Sequence, residues 1–312
     1  MDENKFLIVS NNPMSNTHGR NEEWNLYQQV AKQYNISIKN MLISEDRMDS
    51  YYESILNTSD PSIIPTAAYI LNKNSDNVLM IFKDMEYRGT KFLNPVSTIV
   101  ADKLKLSVEA KHNNIPIPKT VPIVLPNLGA LNKVAEYIID SVGLPCVIKK
   151  TDWGLGIGIV KVNTYNELTD ILGMLATMKL TNMYAINNFN YIAQEFIPDN
   201  IGSAVRVVVL NNKCIAAIFK KAPHWKSNST SSGRITEEYP INSILENLSL
   251  KICKTFNINY AGLDFHIMND GSYLLGEINT SPMIGFIGEK YPNLNIPQMI
   301  LRYLMPHKFY EN

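Results

Sequence analysis

The stretch "LDFHIMNDGSYLLGEINTSP", residues 263–282, reads as two short strands around a turn. It also carries three oxygen-bearing groups that a greasy sheet does not need: Asp264, Glu277 and Asn279. Leu263, Phe265 and Ile267 alternate with Asp264, His266 and Met268, the period of a strand with two distinct faces. In the second run the same alternation puts Tyr273, Leu275, Glu277 and Asn279 on one face. Asn269-Asp270-Gly271 between them supplies residues that tolerate the φ > 0 of a tight turn. With Asp270-Gly271 as a two-residue turn, Asn269 pairs with Ser272, and counting outward sets Asp264 across from Glu277.

Facing residues on one sheet face have Cβ atoms about 4.5–5.5 Å apart, and like charges there are destabilising. A divalent cation between the two carboxylates reverses that sign, and Asn279 adds a neutral oxygen. Such hard oxygen ligands suit Mg²⁺, which binds one or two carboxylates together with substrate phosphates. A solvated strand face, or one protonated carboxylate, accounts for the same residues without a metal.

A chain of 312 residues is long enough for two or three domains with substantial cores. Its 29 basic and 29 acidic residues leave no overall field to draw in nucleic acid or a membrane. The start, MDENKFLIVS, lacks the pattern of a signal peptide, and no run approaches the ~18 apolar residues of a membrane span. The cytoplasm is the expected compartment. Cys146, Cys214 and Cys253 share no metal spacing and read as small buried hydrophobes.

Along the chain, KFLIV at 5–9 reads as a first strand, followed by the polar loop SNNPMSNTHGR and a helix over 21–34. A second strand, ISIKNMLI, then helical or mixed stretches lead to NVLMIF at 77–82. This alternation predicts a small open-sheet α/β domain over residues 1–95. A helix near 98–112 runs into NNIPIPKT, whose prolines force extended chain. Helices follow over 131–140, 166–178 and 242–256. Strands are expected at LPCVIKK, YIAQEFI and the AVRVVVL/CIAAIF hairpin. Domain breaks are expected near 95/96 and 192/193, giving a central unit over 96–192 and a C-terminal unit over 193–312 that carries the metal site. The fold class is mixed α/β.

Gly154, Gly156 and Gly158 alternate in WGLGIG between two strands. Alternating glycines let backbone N–H groups close over phosphate oxygens, although a plain hairpin turn would look similar. Neither a Walker loop nor a dinucleotide fingerprint fits, because no helix begins there. Lys149 ends a buried strand just before this loop, a costly place for an ammonium unless it is paired or faces phosphate. Lys103 and Lys221 are further cations at element ends. Arg206 must point away from the face taken by Val205, Val207 and Val209, and its planar fork suits a phosphate or carboxylate. The loop at 220–234, with Lys220, Lys221, His224, Lys226 and Arg234, could close as a lid or simply be solvated.

In order, "ADKLKLSVEAKHNNIPIPKT", "PCVIKKTDWGLGIGIVKV", "AQEFI", "GSAVRVVV", "AAIFKKA", "KSN", "GLDF" and "LGEINTSP" resemble the RimK-like ATP-grasp ligases over roughly residues 95–288. The carboxylate-x-Asn-x-Ser-Pro element is the most specific part. The resemblance implies an ATP-grasp fold, with ATP held between two antiparallel sheets. By motif match, Lys103 and Lys149 would contact the nucleotide phosphates, beneath a cover of Gly154, Gly156 and Gly158. Gln194, Glu195, Phe196 and Ile197 would form the hinge whose backbone reads adenine. Arg206, Lys221 and Asn228 would act at the reaction centre. Asp264, Glu277 and Asn279 match the Mg²⁺ ligands, for two ions, with Mn²⁺ as a substitute.

The implied activity is ATP-dependent joining of a carboxylate to an amine through an acyl phosphate. The implied partners are small-molecule or peptide substrates, without nucleic acid or membrane, and a homo-oligomer is left open. An ATP-grasp phosphotransferase and a non-catalytic ATP-binding module are the competing classes. Two positions depart from the family pattern. Ala204 stands where aspartate is common, and Met283 follows Ser281-Pro282 where glycine is common. For the base that deprotonates the amine, His224 and His266 are candidates. In the loop at 10–21, His18 and Arg20 could meet an acidic substrate, although helix capping is the plainer expectation for this serine- and asparagine-rich stretch.

Overall fold

The computed structural model describes residues 5–17, 20–44, 47–48, 60, 63–71, 76–96, 102–124, 128–151, 158–181, 190–226 and 235–310. They build three sheets.

The N-terminal sheet has the order β3-β2-β1-β4-β5. Its strands are β1 (Lys5–Ser10), β2 (Ser37–Ser44), β3 (Arg47–Met48), β4 (Ala67–Ile70) and β5 (Lys91–Leu93). β1 pairs in parallel with both β2 and β4, and β5 extends the parallel set beyond β4. Helices α1 (Asn21–Gln33) and α2 (Asp76–Tyr87) belong to this part. The apolar run at 77–82 therefore lies in a helix, with Phe82 and Met85 turned into the core.

The central sheet is antiparallel, in the order β6-β9-β7-β8. It comprises β6 (Thr120–Ile123), β7 (Cys146–Lys150), β8 (Ile159–Val162) and β9 (Tyr191–Glu195). α3 (Lys103–His112) precedes it, and α4 (Leu131–Val142) and α5 (Tyr165–Thr181) pack on it through Ile138, Leu168 and Leu172. The break expected at 192/193 falls inside β9, whose residues pair with both β6 and β7. The central sheet thus runs on to Glu195.

The C-terminal sheet, also antiparallel, has the order β12-β11-β10-β13-β14. Its strands are β10 (Ser203–Leu210), β11 (Lys213–Lys221), β12 (Ile235–Glu238), β13 (Tyr260–Ile267) and β14 (Tyr273–Asn279). α6 (Ser243–Thr255), α7 (Gly285–Lys290) and α8 (Ile296–Leu304) complete the described elements. The β10–β11 turn uses Asn211 and Asn212 at φ 48 and 57, the left-handed pair that a tight hairpin requires.

Both faces of this sheet are covered, which is why β10 is buried along its whole length. Val205, Val207 and Val209 pack with Leu263, Phe265 and α6. On the other face Val208, Leu210 and Tyr260 join Phe6, Ile8 and Tyr27 of the N-terminal part and Ile300, Leu301 and Leu304 of α8. Asn94 fastens that seam. Its amide donates to the Tyr260 carbonyl at 2.8 Å and accepts from the Asn259 and Tyr260 N–H groups, each at 2.7 Å. Among the described residues no helix is long and apolar enough to cross a membrane.

Candidate active site

Asp264 and Glu277 do face each other across β13 and β14, but by another route than a two-residue turn. Near the turn Ile267 pairs with Tyr273, and the Met268 N–H donates to the Ser272 carbonyl, so the loop is one residue longer than expected. A bulge at Gly276 shifts the register back and places Asp264 across from Glu277. The bulge also swaps faces. Tyr273 and Leu275 therefore join Ile278 in the core, and they do not share a face with Glu277 and Asn279. A Cβ at Gly276 would lie 3.0 Å from the His266 Nε2 atom and 3.4 Å from the Asp264 carbonyl oxygen, so the imidazole would have to give by a few tenths of an ångström to admit one.

On the face that also carries Val208 and Tyr260, Arg206 clasps Asp264 with both branches of its fork. Nε donates to Oδ1 at 2.7 Å and Nη2 to Oδ2 at 2.6 Å, with Arg206 8% and Asp264 4% exposed. Burial disfavours the guanidinium charge, but Asp264 beside it more than compensates. The second cation at this carboxylate is Lys220, whose Nζ lies 3.5 Å from Asp264 Oδ1. Lys220 stands opposite Ala204 on β10, and its side chain crosses that small residue to reach β13. A longer side chain at 204 would lie in the path. Strand alternation turns Lys221 outward and exposed, while Lys220 is 2% exposed beside Asp264.

The central sheet contributes Lys149. Its Nζ donates to Gln194 Oε1 at 2.5 Å, and the Gln194 amide in turn donates to Thr120 Oγ1 at 2.8 Å. Burial, reinforced by Lys103, pulls Lys149 down to about 8 despite the counter-effect of Glu277. Lys103, at the start of α3, lies 4.0 Å from Glu277 Oε1. Lys103, Lys149, Arg206, Lys220, Asp264 and Glu277 thus converge from two sheets. His266 is also in this cluster. Burial and then Lys149 push it down to about 4, so near neutral pH it is an uncharged neighbour.

Asn279 turns its Oδ1 to the Ser281 N–H at 3.0 Å. Gln194 lies within β9, flanked by strands on both sides. Its side chain holds Lys149. The Glu195 N–H is taken by the Lys119 carbonyl at 2.9 Å and the Phe196 N–H by the Pro145 carbonyl at 3.3 Å. Phe196 lies under Lys161, 3.8 Å from ring centroid to Nζ, and edge-on to Trp225. Ile197 follows, half-buried. Gly158 stands at φ 67 just before β8. Gly154, Gly156 and Asn228 lie outside the described residues, as does most of the 220–234 loop.

Sequence reading placed Lys220 in the 220–234 loop rather than in the strand, and missed the side-chain role of Gln194. The first was open to strict alternation from Arg206, had β11 been extended to 221. The second depends on a contact between strands and leaves no local signal.

A RimK-like ATP-grasp domain profile matches residues 101–304, and the chain belongs to that family. Among characterised relatives it is similar to N-acetylaspartylglutamate synthase A of Homo sapiens, 21% identical over 254 residues that cover 80% of this chain and 61% of the relative. It is also similar to the probable alpha-L-glutamate ligase 1 of Shewanella frigidimarina, 27% identical over 72% of this chain and 70% of the relative. The chain thus spans less than two thirds of the human protein's length. A solved RimK domain ATP-grasp protein of Sphaerobacter thermophilus superposes with a TM-score of 0.66 at 15% identity, covering 96% of this chain and 99% of the other. That likeness shows the ATP-grasp fold.

Proposed function

We propose that the protein is an ATP-dependent ligase that joins a carboxylate to an amine. The observation that carries this reading is the convergence of Lys103, Lys149, Arg206 and Lys220 on two carboxylates, Asp264 and Glu277, between two antiparallel sheets. Both relatives named above make a bond to glutamate by name, which makes an amino acid or peptide the favoured substrate class.

The residues fit the nucleotide and its metal. Lys149 is a buried ammonium whose hydrogen-bond partner is a neutral amide, a cation prepared for an incoming anion. Among the described residues no three His, Cys, Asp or Glu side chains are arranged to hold a metal ion by themselves, and the oxygen set of Asp264, Glu277 and Asn279 is correspondingly open. It suits an ion that also takes phosphate ligands. Asp264, Glu277 and Asn279 would hold Mg²⁺, two ions or Mn²⁺ in their place, and Lys103, Lys149 and Gly158 would contact the phosphates. Glu195, Phe196 and Ile197 would line the adenine.

Bound MgATP would supply the phosphoryl group that activates the substrate carboxylate as an acyl phosphate with release of ADP, and the amine would then attack the acyl carbon, expel phosphate and give up a proton to leave the amide. Arg206 and Lys220 would hold the reacting carboxylate beside that group and offset the charge of two anions brought together. Asp264 fixes the guanidinium plane, so the fork is oriented before substrate arrives. By motif match Asn228 would act at the same centre.

The deciding experiment offers ATP, Mg²⁺, candidate acids and hydroxylamine, and looks for an acid-dependent hydroxamate. Its formation with release of ADP and phosphate is the expected result. Stable transfer of the phosphoryl group to an alcohol, with no hydroxamate from any acid, would replace the ligase reading with a phosphotransferase.

A further inference from the structure

β1 leads through α1 to β2 on one side of the N-terminal sheet, whereas β4 lies on the other side of β1. The carboxyl ends of β1 and β4 are therefore the point where the strand order reverses, and open α/β sheets bind ligands there. A cavity of about 90 Å³ lies at this point, lined by Ser10, Asn12, Met14, Thr17, Arg20 and Leu71. The expectation that this loop caps α1 through a serine or asparagine is not met: Arg20 occupies the cap position and no side-chain cap bond forms.

The loop is instead braced from below. Asn40 donates to Ser10 Oγ at 2.8 Å and accepts from the Met14 N–H at 3.0 Å, and Thr17 Oγ1 donates to the Pro13 carbonyl. Among the described residues of the lining, Arg20 is the charged one. Its Nη1 donates to the buried Glu23 carboxylate at 2.6 Å and its Nη2 to the Ser281 carbonyl at 2.7 Å. Two of its five N–H donors are thus accounted for. Ser281 also receives nothing less than a double tether: its N–H reaches Asn279 Oδ1, and its Oγ donates to the Leu71 carbonyl at 2.6 Å. The cavity is therefore tied to the strand end that carries Glu277 and Asn279.

We propose that this crevice binds the amine substrate of the ligase, an α-amino acid held by its α-carboxylate on Arg20. The chemistry selects that class. Arg20 and Glu23 together are neutral, so a zwitterion adds no net charge to a buried site, whereas a simple anion would. The α-carboxylate meets the remaining guanidinium donors, with Ser10, Asn12 and Thr17 around it. The Ser281 link then directs the amino group toward the β14 end of the site. The proposal rests on the ligase reading for its role, but not for the binding itself.

The experiment measures binding to the full chain without ATP, by saturation-transfer NMR and calorimetry, using L-alanine, L-glutamate and their α-amides as probes. At least one amino acid should bind, with its α-amide at least tenfold weaker. Arg20→Gln should weaken the amino acid at least tenfold. Asn12 is exposed, so Asn12→Trp tests the crevice from its rim without disturbing the core and should do the same. Absence of binding by every probe, equal binding of acid and amide, or wild-type affinity in the Asn12→Trp protein would overturn the proposal. Hydroxamate formation by the wild-type protein with hydroxylamine tests the ligase reading separately, since it requires no amino-acid amine.

Discussion

Asp264 and Glu277 face each other and yet occupy different electrostatic settings. Asp264 is clasped by Arg206 and approached by Lys220, whereas Glu277 has a side chain 29% exposed and meets Lys103 only at 4.0 Å. Removing the Asp264 charge strands two buried cations, and breaking such a pair costs about 3–5 kcal/mol. Glu277 is more exposed, and solvent weakens its attraction for Lys103, Lys149 and Arg206, so removing its charge shifts stability by no more than about 1 kcal/mol. Asp264→Asn should therefore lower the unfolding midpoint, while Glu277→Gln should melt close to the wild type and still lose ATP turnover. Denaturant melts with an ATPase assay on both proteins read this directly. Normal turnover by Glu277→Gln would remove it from the proposed metal set. That the two carboxylates are opposed was legible in the sequence because their separation survives two departures that cancel, a longer turn and the Gly276 bulge. The clasp by Arg206 was not, because 58 residues separate it from Asp264.

Strands were legible where alternation was uninterrupted. β10 declares its two faces through three valines and Arg206, and β1, β2 and α1 follow from equally clear patterns. β6 and β12 carry little apolar pattern, so nothing local marks them, and β6 exists because β9 pairs with it. The end of β11 is a sharper case. The pair Lys220-Lys221 reads as the start of a loop, yet the strand continues and alternation decides which lysine enters the site. Lys220→Met should abolish product formation, because the site loses a buried cation beside Asp264. Lys221→Met should leave turnover within a factor of two or so, since an exposed side chain carries no such contact. Steady-state assays of the two variants make the comparison. Equal loss in both would mean that β11 takes a different register in the working enzyme.

The relation between the N-terminal part and the C-terminal sheet could not be read from the sequence, because the contacts that create it join distant residues. Arg20 reaches Ser281 across 261 positions, and Asn94 reaches Tyr260 across 166. The Asn94 side chain sits between β5 and the start of β13, the strand that carries Asp264. Phe6, Ile8 and Tyr27 pack over the same strand end, so the seam is otherwise apolar and has few polar groups to fix its register. Truncating Asn94 leaves the Tyr260 N–H and carbonyl buried without this partner, at a cost of roughly 1–3 kcal/mol for each unmet group. Asn94→Ala should consequently lower the unfolding midpoint and speed amide exchange at Asn259 and Tyr260, with apolar packing still holding the sheets together. Asn94→Asp keeps an oxygen for both N–H groups and should recover most of the amide protection. Hydrogen exchange resolved at those two amides distinguishes the outcomes. Wild-type protection in Asn94→Ala would show that apolar packing and the Ser281 tethers, without Asn94, set how the N-terminal crevice meets the strand end bearing Glu277 and Asn279.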